Sequence, residues 1–144
     1  MSTLPYIIFS YLTVNNLKDK INHMRTFIPG SKTVLVADDD MNLRAFIKAV
    51  LERAGCSVID ACDGEEAVDK FLLNSSQVDL LVLDVRMPRK NGKDAYHEIL
   101  KINPGIKAIF ISGFQDDPIR EQADFIPKPF TSQVLLSHMN GMFN

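Results

Sequence analysis

The stretch Leu80-Leu81-Val82-Leu83-Asp84 is an apolar run that ends abruptly in a carboxylate. Consecutive aliphatic residues that include a β-branched member are typical of a strand buried on both faces, as in a parallel sheet. Open α/β sheets carry their chemistry at the carboxyl ends of the strands. Asp84 is therefore either a cap for the following helix or a reactive group, and the rest of the chain has to decide between the two.

The composition indicates one globular domain with a sizeable core. The 144 residues are 46% hydrophobic and 24% charged, which are ordinary values. The formal net charge of −2 gives no reason to expect direct binding to nucleic acid or to an anionic membrane. Cys56 and Cys62 have no CxxC partner, so we expect both to be reduced core residues in a cytoplasmic protein.

Residues 1–31 differ from the remainder and predict an N-terminal extension. Its apolar run from Leu4 to Val14 is too short to span a bilayer and lacks the basic leader of a signal peptide. A helical stripe of apolar residues follows, formed by Leu17, Ile21, Met24 and Ile28. Two interpretations stay open: the extension drapes on the domain, or it is a dimerisation or docking element whose apolar side another surface covers.

From residue 32 onward, strand-like and helix-like patterns alternate, which predicts one domain over residues 32–144. The predicted strands are Thr33–Ala37, Ser57–Ala61, Asp79–Asp84, Ile106–Ile111 and Asp124–Pro127. The predicted helices are Asn42–Arg53, Glu65–Leu73, Lys93–Ile102 and a last helix from the Thr131 cap to Phe143, with Phe46 and Leu72 among the inward-facing residues. This alternation predicts an α/β, doubly wound, five-stranded parallel sheet in the order 2-1-3-4-5.

Polar residues follow the carboxyl ends of these strands and should meet at one edge of the sheet. They are Asp38, Asp39 and Asp40 after the first strand, Asp84 at the end of the third, Ser112 after the fourth and Lys128 after the fifth. Clustered carboxylates need a counter-charge, which Mg²⁺ with oxygen ligands would supply. An Asp can also attack phosphorus, and a lysine and a hydroxyl could then hold the transferred group. Asp40 is better explained as a helix cap than as a ligand.

Four runs of the sequence, taken together and in order, resemble the receiver domain of two-component response regulators. They are VLVADDDMNLR (34–44), DLLVLDVRMPRKNG (79–92), AIFISG (108–113) and DFIPKPF (124–130). The resemblance implies that Asp84 accepts a phosphoryl group. It also implies a Mg²⁺ site made by Asp38, Asp39, Asp84 and the backbone carbonyl of Arg86.

Further roles follow only from this resemblance. Ser112 and Lys128 correspond to the hydroxyl and the amine that contact the phosphoryl group, and Lys128-Pro129 corresponds to a cis peptide. Phe125 takes the place of the switching aromatic residue, although it could equally be a core residue. The implied partners are a histidine kinase or phosphotransfer protein and an unknown downstream protein, and a homodimer could form. Such a domain is not an enzyme beyond gaining and losing its own phosphoryl group.

The chain departs from the family in two places. Only 15 residues separate Ser112 from Lys128, which predicts a shortened or missing fourth helix before the fifth strand. Arg86 and Phe114 flank the expected path of the hydrolytic water and offer neither carboxylate nor amide, so we expect a slowly hydrolysing phosphoryl group. Arg89 and Lys90 are predicted to lie in a solvated loop, with a docking role as the alternative.

Two other functions stay open on the sequence. The first is an aspartyl phosphatase of the haloacid dehalogenase type, with Asp38 as nucleophile and Asp40 as acid and base. That hypothesis leaves Asp84 without a role and lacks a cap domain. The second is a scaffold of the same fold that works without phosphorylation, against which the complete set of acidic residues, hydroxyl and lysine argues.

Overall fold

The computed structural model describes residues 28, 30–113 and 124–143. Within these residues the strands are β1 Thr33–Ala37, β2 Ser57–Ala61, β3 Leu80–Asp84, β4 Lys107–Ser112 and β5 Asp124–Pro127. The described helices are α1 Met41–Arg53, α2 Gly64–Asn74, α3 Gly92–Ile102 and α4 Ser132–Phe143. All strand pairs are parallel and the order is β2-β1-β3-β4-β5, which confirms the predicted sheet.

The central strand β3 supplies side chains to two cores, one on each face of the sheet. Leu81 and Leu83 pack with the inward residues of α2 and α3, whereas Leu80 and Val82 pack with those of α1 and α4. Successive strand residues point to opposite faces, so a strand covered on both sides must be apolar throughout. All four side chains are 0% exposed, and this explains the unbroken apolar run before Asp84.

Each described helix has an N-cap residue whose side chain accepts a hydrogen bond from a backbone N–H of the first turn. The caps, with the donating residue and distance, are Asp40 (Leu43, 3.2 Å), Asp63 (Glu66, 2.8 Å), Asn91 (Asp94, 2.8 Å) and Thr131 (Val134, 3.2 Å). The predicted Thr131 cap is confirmed, and so is the capping role of Asp40. Because Asn91 caps the helix that follows β3, Asp84 is not needed there as a cap.

Three predicted side-chain positions are wrong. Phe46 is 41% exposed and Leu72 is 55% exposed, although both lie on the apolar stripe of their helix. The stripe is wider than the strip of helix that contacts the sheet, and in α1 only Ile47 and Leu51 reach full burial. Cys62 is only partly buried, and its sulfur lies 2.8 Å from Oε2 of Glu66 rather than in the core.

Ile28 lies at the start of the described chain and packs into the core between the sheet and helices α1 and α4. Its N–H donates a hydrogen bond to the carbonyl of Ala54 at 3.0 Å. The rest of the predicted N-terminal helical stripe lies outside the described residues, and so does the predicted loss of a fourth helix across residues 114–123. The division at residue 32 stays a prediction. In the described part of the chain, none of the helices has the length and apolar character needed to cross a bilayer.

Candidate functional site

The carboxyl ends of β1 and β3 bring three acidic side chains together. Ala37 pairs with Leu83, so the next residues, Asp38 and Asp84, leave adjacent strands at the same level. Oxygen atoms of Asp38, Asp39 and Asp84 lie within 4.8 Å of one another. Asp38 is 1% exposed and Asp84 is 5% exposed, whereas Asp39 faces solvent. The predicted acidic cluster therefore exists, with two members withdrawn from water.

The carboxyl ends of β4 and β5 bring a hydroxyl and an amine to the same edge. Asp84 pairs with Ile111, which places the buried Ser112 one position further along β4. The N–H of Lys128 donates to the carbonyl of Ser112 at 2.8 Å, and the peptide bond Lys128-Pro129 is cis, as the resemblance implies. Nζ of Lys128 lies 3.3 Å from Oδ1 of Asp84 and 3.8 Å from Oδ2 of Asp38. A single ammonium thus faces both buried carboxylates.

Asp38 is fixed by the start of α1, but only one of its carboxylate oxygens is satisfied. Oδ1 accepts the N–H of Asp40 at 2.9 Å, and Nη1 of Arg44 donates to the backbone carbonyl of Asp38 at 2.7 Å. Oδ2 is buried and has no hydrogen-bond partner among the described residues. A buried carboxylate oxygen without a hydrogen bond is costly, and the Lys128 ammonium at 3.8 Å lies beyond hydrogen-bond distance, so this oxygen is available to a further ligand.

Electrostatics at this edge favour the uptake of positive charge. Burial and the neighbouring Asp38 carboxylate raise the pKa of Asp84 to about 7, against the opposing pull of Lys128. Burial also raises the pKa of Asp38, although the Asp40 N–H and Lys128 counteract it. Two carboxylates with one ammonium leave a net negative charge in a low-dielectric site. Either a proton or a cation would relieve it.

The donor set fits a magnesium ion. Mg²⁺ prefers carboxylate and carbonyl oxygens, and it is held in proteins by one or two carboxylates together with water or phosphate oxygens. Such a set is present in the clustered oxygens of Asp38, Asp39 and Asp84, and it includes Oδ2 of Asp38, which accepts no hydrogen bond among the described residues. No nitrogen or sulfur donor takes part in this cluster, which argues against zinc.

The remaining predicted residues occupy different surroundings. The exposed Arg86 lies two residues after Asp84, in the loop between β3 and α3. Phe125 is half-buried and packs against the core under α2 and α3, a position compatible with either a switching or a core role. Phe114 lies outside the described residues, so its predicted place beside the water path stays a prediction.

The Asp40 side chain, which the phosphatase hypothesis needs as acid and base, is engaged as the cap of α1. Its Oδ1 accepts the N–H groups of Asn42 at 3.0 Å and Leu43 at 3.2 Å. An acid and base for phosphatase chemistry would instead have to reach the substrate beside Asp38. The described contacts therefore show Asp40 as a helix cap and give no support to a role as acid and base.

Sequence reasoning missed an ion pair in the loop that follows β3. Arg89, predicted to be a solvated residue, donates from Nε to Oδ2 of the buried Asp63 at 2.6 Å. Lys90 also has a partner, since its Nζ lies 2.8 Å from Oε2 of Glu98. The sequence signal that could have indicated the first contact is Asp63 itself, because a buried helix-cap carboxylate attracts a cation.

Comparisons with known proteins agree with this geometry. Residues 34–140 match the response regulator receiver domain family. The chain is 34% identical to the chemotaxis protein CheY of Thermotoga maritima over 116 residues, which cover 76% of this chain and 95% of CheY. It is 33% identical to the sensor kinase CckA of Brucella abortus over 131 residues, which cover 87% of this chain and only 14% of the kinase. Among solved structures, the response regulator TrrA of Thermotoga maritima in complex with Mg²⁺-BeF aligns with a TM-score of 0.69 at 30% identity, covering 77% of this chain and 98% of TrrA.

Proposed function

This chain belongs to the response regulator receiver family of two-component signalling, and from that premise we propose that Asp84 accepts a phosphoryl group in a Mg²⁺-dependent reaction. The donor is a histidine kinase, a phosphotransfer protein or a small acyl-phosphate. One observation carries the proposal. The buried Asp84 belongs to a carboxylate cluster that needs a cation, and it lies 3.3 Å from the ammonium of Lys128 at the carboxyl edge of a parallel sheet.

Asp84 acts as the nucleophile. One of its carboxylate oxygens forms a bond to phosphorus, while the bond from phosphorus to the leaving group breaks and its electron pair stays with that group. With acetyl phosphate the leaving group is acetate. With a phosphohistidine it is an imidazole, whose electron pair becomes the ring-nitrogen lone pair. The product in both cases is an aspartyl phosphate on residue 84.

Lys128 and Ser112 hold the transferred group. The Lys128 ammonium, 3.3 Å from Oδ1 of Asp84, is placed to neutralise charge that spreads over the phosphoryl oxygens. The Ser112 hydroxyl, buried one position beyond the level of Asp84 on the neighbouring strand, would donate a hydrogen bond to another phosphoryl oxygen. Both residues then contact a group that only the phosphorylated protein contains.

The metal would be held by Asp38, Asp39, Asp84 and the backbone carbonyl of Arg86. Mg²⁺ bound there supplies positive charge to the phosphoryl oxygens and to the carboxylates. The hydrogen bond from the Asp40 N–H to Oδ1 of Asp38 leaves Oδ2 as the oxygen offered to the metal. Asp39, the exposed member, reaches the same cluster from the solvent side.

Phosphorylation serves as a signal and is read by a partner protein. New contacts to Ser112 and a changed packing of Phe125 would shift an equilibrium between two conformations of the domain. The downstream protein would bind one of the two more tightly. In this scheme the chain is a switchable binding module in which the only chemistry is the gain and loss of its own phosphoryl group.

Incubation with acetyl phosphate and Mg²⁺, followed by intact-mass spectrometry, tests the proposal. We expect wild type to gain the mass of one phosphoryl group, and we expect no gain for wild type with EDTA or for Asp84→Asn with Mg²⁺. The exposed Asp69→Asn is the matched control and should behave as wild type. A wild-type protein that stays unmodified with donor and metal would favour the phosphorylation-independent scaffold.

A further inference from the structure

The loop between β3 and α3, residues 85–91, is tied to the start of α2 through Arg89. Nε of Arg89 donates to Oδ2 of Asp63 at 2.6 Å, and Nη2 of Arg89 pairs with the same oxygen. The Asp63 side chain is 3% exposed, and its other oxygen accepts the Glu66 N–H at 2.8 Å. The Glu66 N–H and the Arg89 guanidinium hold the pKa of Asp63 below its ordinary range, so the carboxylate stays charged.

The backbone at Arg89 has a conformation that a residue with a side chain rarely adopts. Its φ is 64°, and the N–H of Lys90 donates to the carbonyl of Pro88 at 2.7 Å. Pro88, Arg89 and Lys90 therefore form a γ-turn, in which the N–H of the third residue donates to the carbonyl of the first. The form with a positive φ at the central residue is the rarer and more strained one. Such strain persists only where surrounding contacts hold it. The ion pair with Asp63 is a contact of this kind.

Backbone contacts bring the same loop against α2. The N–H of Gly64 donates to the carbonyl of Lys90 at 3.0 Å, and a β-carbon on Gly64 would collide with that carbonyl. At the other end of the loop, the N–H of Gly92 donates to the carbonyl of Val85 at 3.0 Å. Arg86 lies between these two fixed points, and its carbonyl is the fourth ligand of the proposed metal site.

We propose that Arg89 is a positioning residue for the metal site, because its ion pair with the buried Asp63 holds a strained loop in the conformation that presents the Arg86 carbonyl. This inference rests on the proposed Mg²⁺ site and adds an ion pair that raises the affinity of that site for Mg²⁺. The side-chain contacts of Arg89 are with Asp63 and Cys62, not with the Asp38, Asp39 and Asp84 cluster. The ion pair also makes the cap of α2 and the loop of the reactive carboxylate one connected unit.

The test measures Mg²⁺ affinity by calorimetric titration in Arg89→Ala. Removing a group that orients a metal ligand typically weakens metal binding 10–100-fold, and Arg89 acts through a backbone segment, so we expect a loss of about three- to tenfold. The rate of phosphorylation at saturating Mg²⁺ should remain that of wild type. Arg89→Lys, which keeps the positive charge, should recover part of the affinity. Lys48→Ala, on α1, removes an exposed ion pair with Asp60 of β2 and serves as the control, with unchanged affinity.

A second variant separates the loss of the ion pair from the backbone strain at position 89. Arg89→Gly also loses the ion pair but tolerates the positive φ, so it should be more stable than Arg89→Ala while its Mg²⁺ affinity stays weakened. Amide hydrogen exchange at Gly64 and Lys90 should accelerate in both variants without metal. Equal Mg²⁺ affinity in wild type and Arg89→Ala would overturn the positioning role alone. Absence of Mg²⁺ binding by wild type would overturn the proposed function as well.

Discussion

Replacing Asp84 with Asn should stabilise the metal-free protein by about 1–3 kcal/mol near pH ~8. In wild type, burial and the Asp38 charge raise the pKa of Asp84 from 3.8 to about 7. An ionised Asp84 above that range faces another buried carboxylate, and the Lys128 ammonium offsets only part of the repulsion. Asn has nearly the same shape and no charge, so the folded state loses the repulsion while the unfolded chain is little changed.

The same substitution should change the pH dependence of stability. Between 3.8 and about 7, folded wild type keeps a proton on Asp84 that the unfolded chain has released. The contribution of this proton to the free energy of unfolding is complete below pH 3.8 and is lost as the pH rises through about 7. Urea unfolding in EDTA across this range should show a steeper decline for wild type than for Asp84→Asn. Parallel curves, or a less stable Asp84→Asn at the alkaline end, would contradict the assigned repulsion.

Magnesium should reverse the order of stability. At the proposed site, Mg²⁺ held by the Asp38, Asp39 and Asp84 cluster would stabilise folded wild type by a free energy that grows with the logarithm of its concentration relative to its dissociation constant. Asp84→Asn retains only part of the ligand set and should gain less. The control is Asp69→Asn, an exposed substitution on α2, which should match wild type with and without the metal.

Replacing Lys128 with Met should slow phosphorylation by acetyl phosphate about 100-fold at saturating Mg²⁺, because a fixed charge aimed at a transferring group is worth two to three orders of magnitude in rate. The Lys128 side chain is 28% exposed, and its ammonium lies 3.3 Å from Oδ1 of Asp84 and 3.8 Å from Oδ2 of Asp38. Met keeps the length and apolar stem of the side chain but removes the ammonium. The expected loss is therefore in the reaction rather than in the packing of the stem.

A time course of intact mass measures this rate. Lys107→Met is the matched control, because Lys107 is an exposed lysine at the opposite end of β4. We expect its rate to equal that of wild type. A Lys128→Met rate within about twofold of wild type would show that the ammonium contributes to the cluster but not to the transfer, since such a change lies below 1 kcal/mol.

The convergence of the polar side chains was predictable from the sequence because strand register determines it. The apolar run before Asp84 marks a central strand, and parallel strands end at a common edge, so Asp38, Asp84 and Lys128 had to converge once the strand order was correct. The alternative role of Asp84 as a cap could be dismissed only in the structure, where Asn91 caps α3.

The contacts that escaped prediction depend on tertiary placement. Arg89 and Asp63 lie 26 residues apart, and their ion pair requires the β3–α3 loop to bend back over the start of α2. No periodicity signals a positive φ at an arginine. Phe46 and Leu72 failed for a related reason, because a helical stripe fixes which side of a helix is apolar but not how much of that side the sheet covers.

The most direct test of the central claim identifies the residue that carries the phosphoryl group. Borohydride reduces an aspartyl phosphate to homoserine, so phosphorylated protein can be reduced, digested and mapped by peptide mass spectrometry. We expect homoserine at position 84 and unmodified aspartate at positions 38, 39 and 40, with labelling dependent on Mg²⁺. Homoserine at position 38, with Asp84 intact, would contradict the account and return the chain to the phosphatase hypothesis.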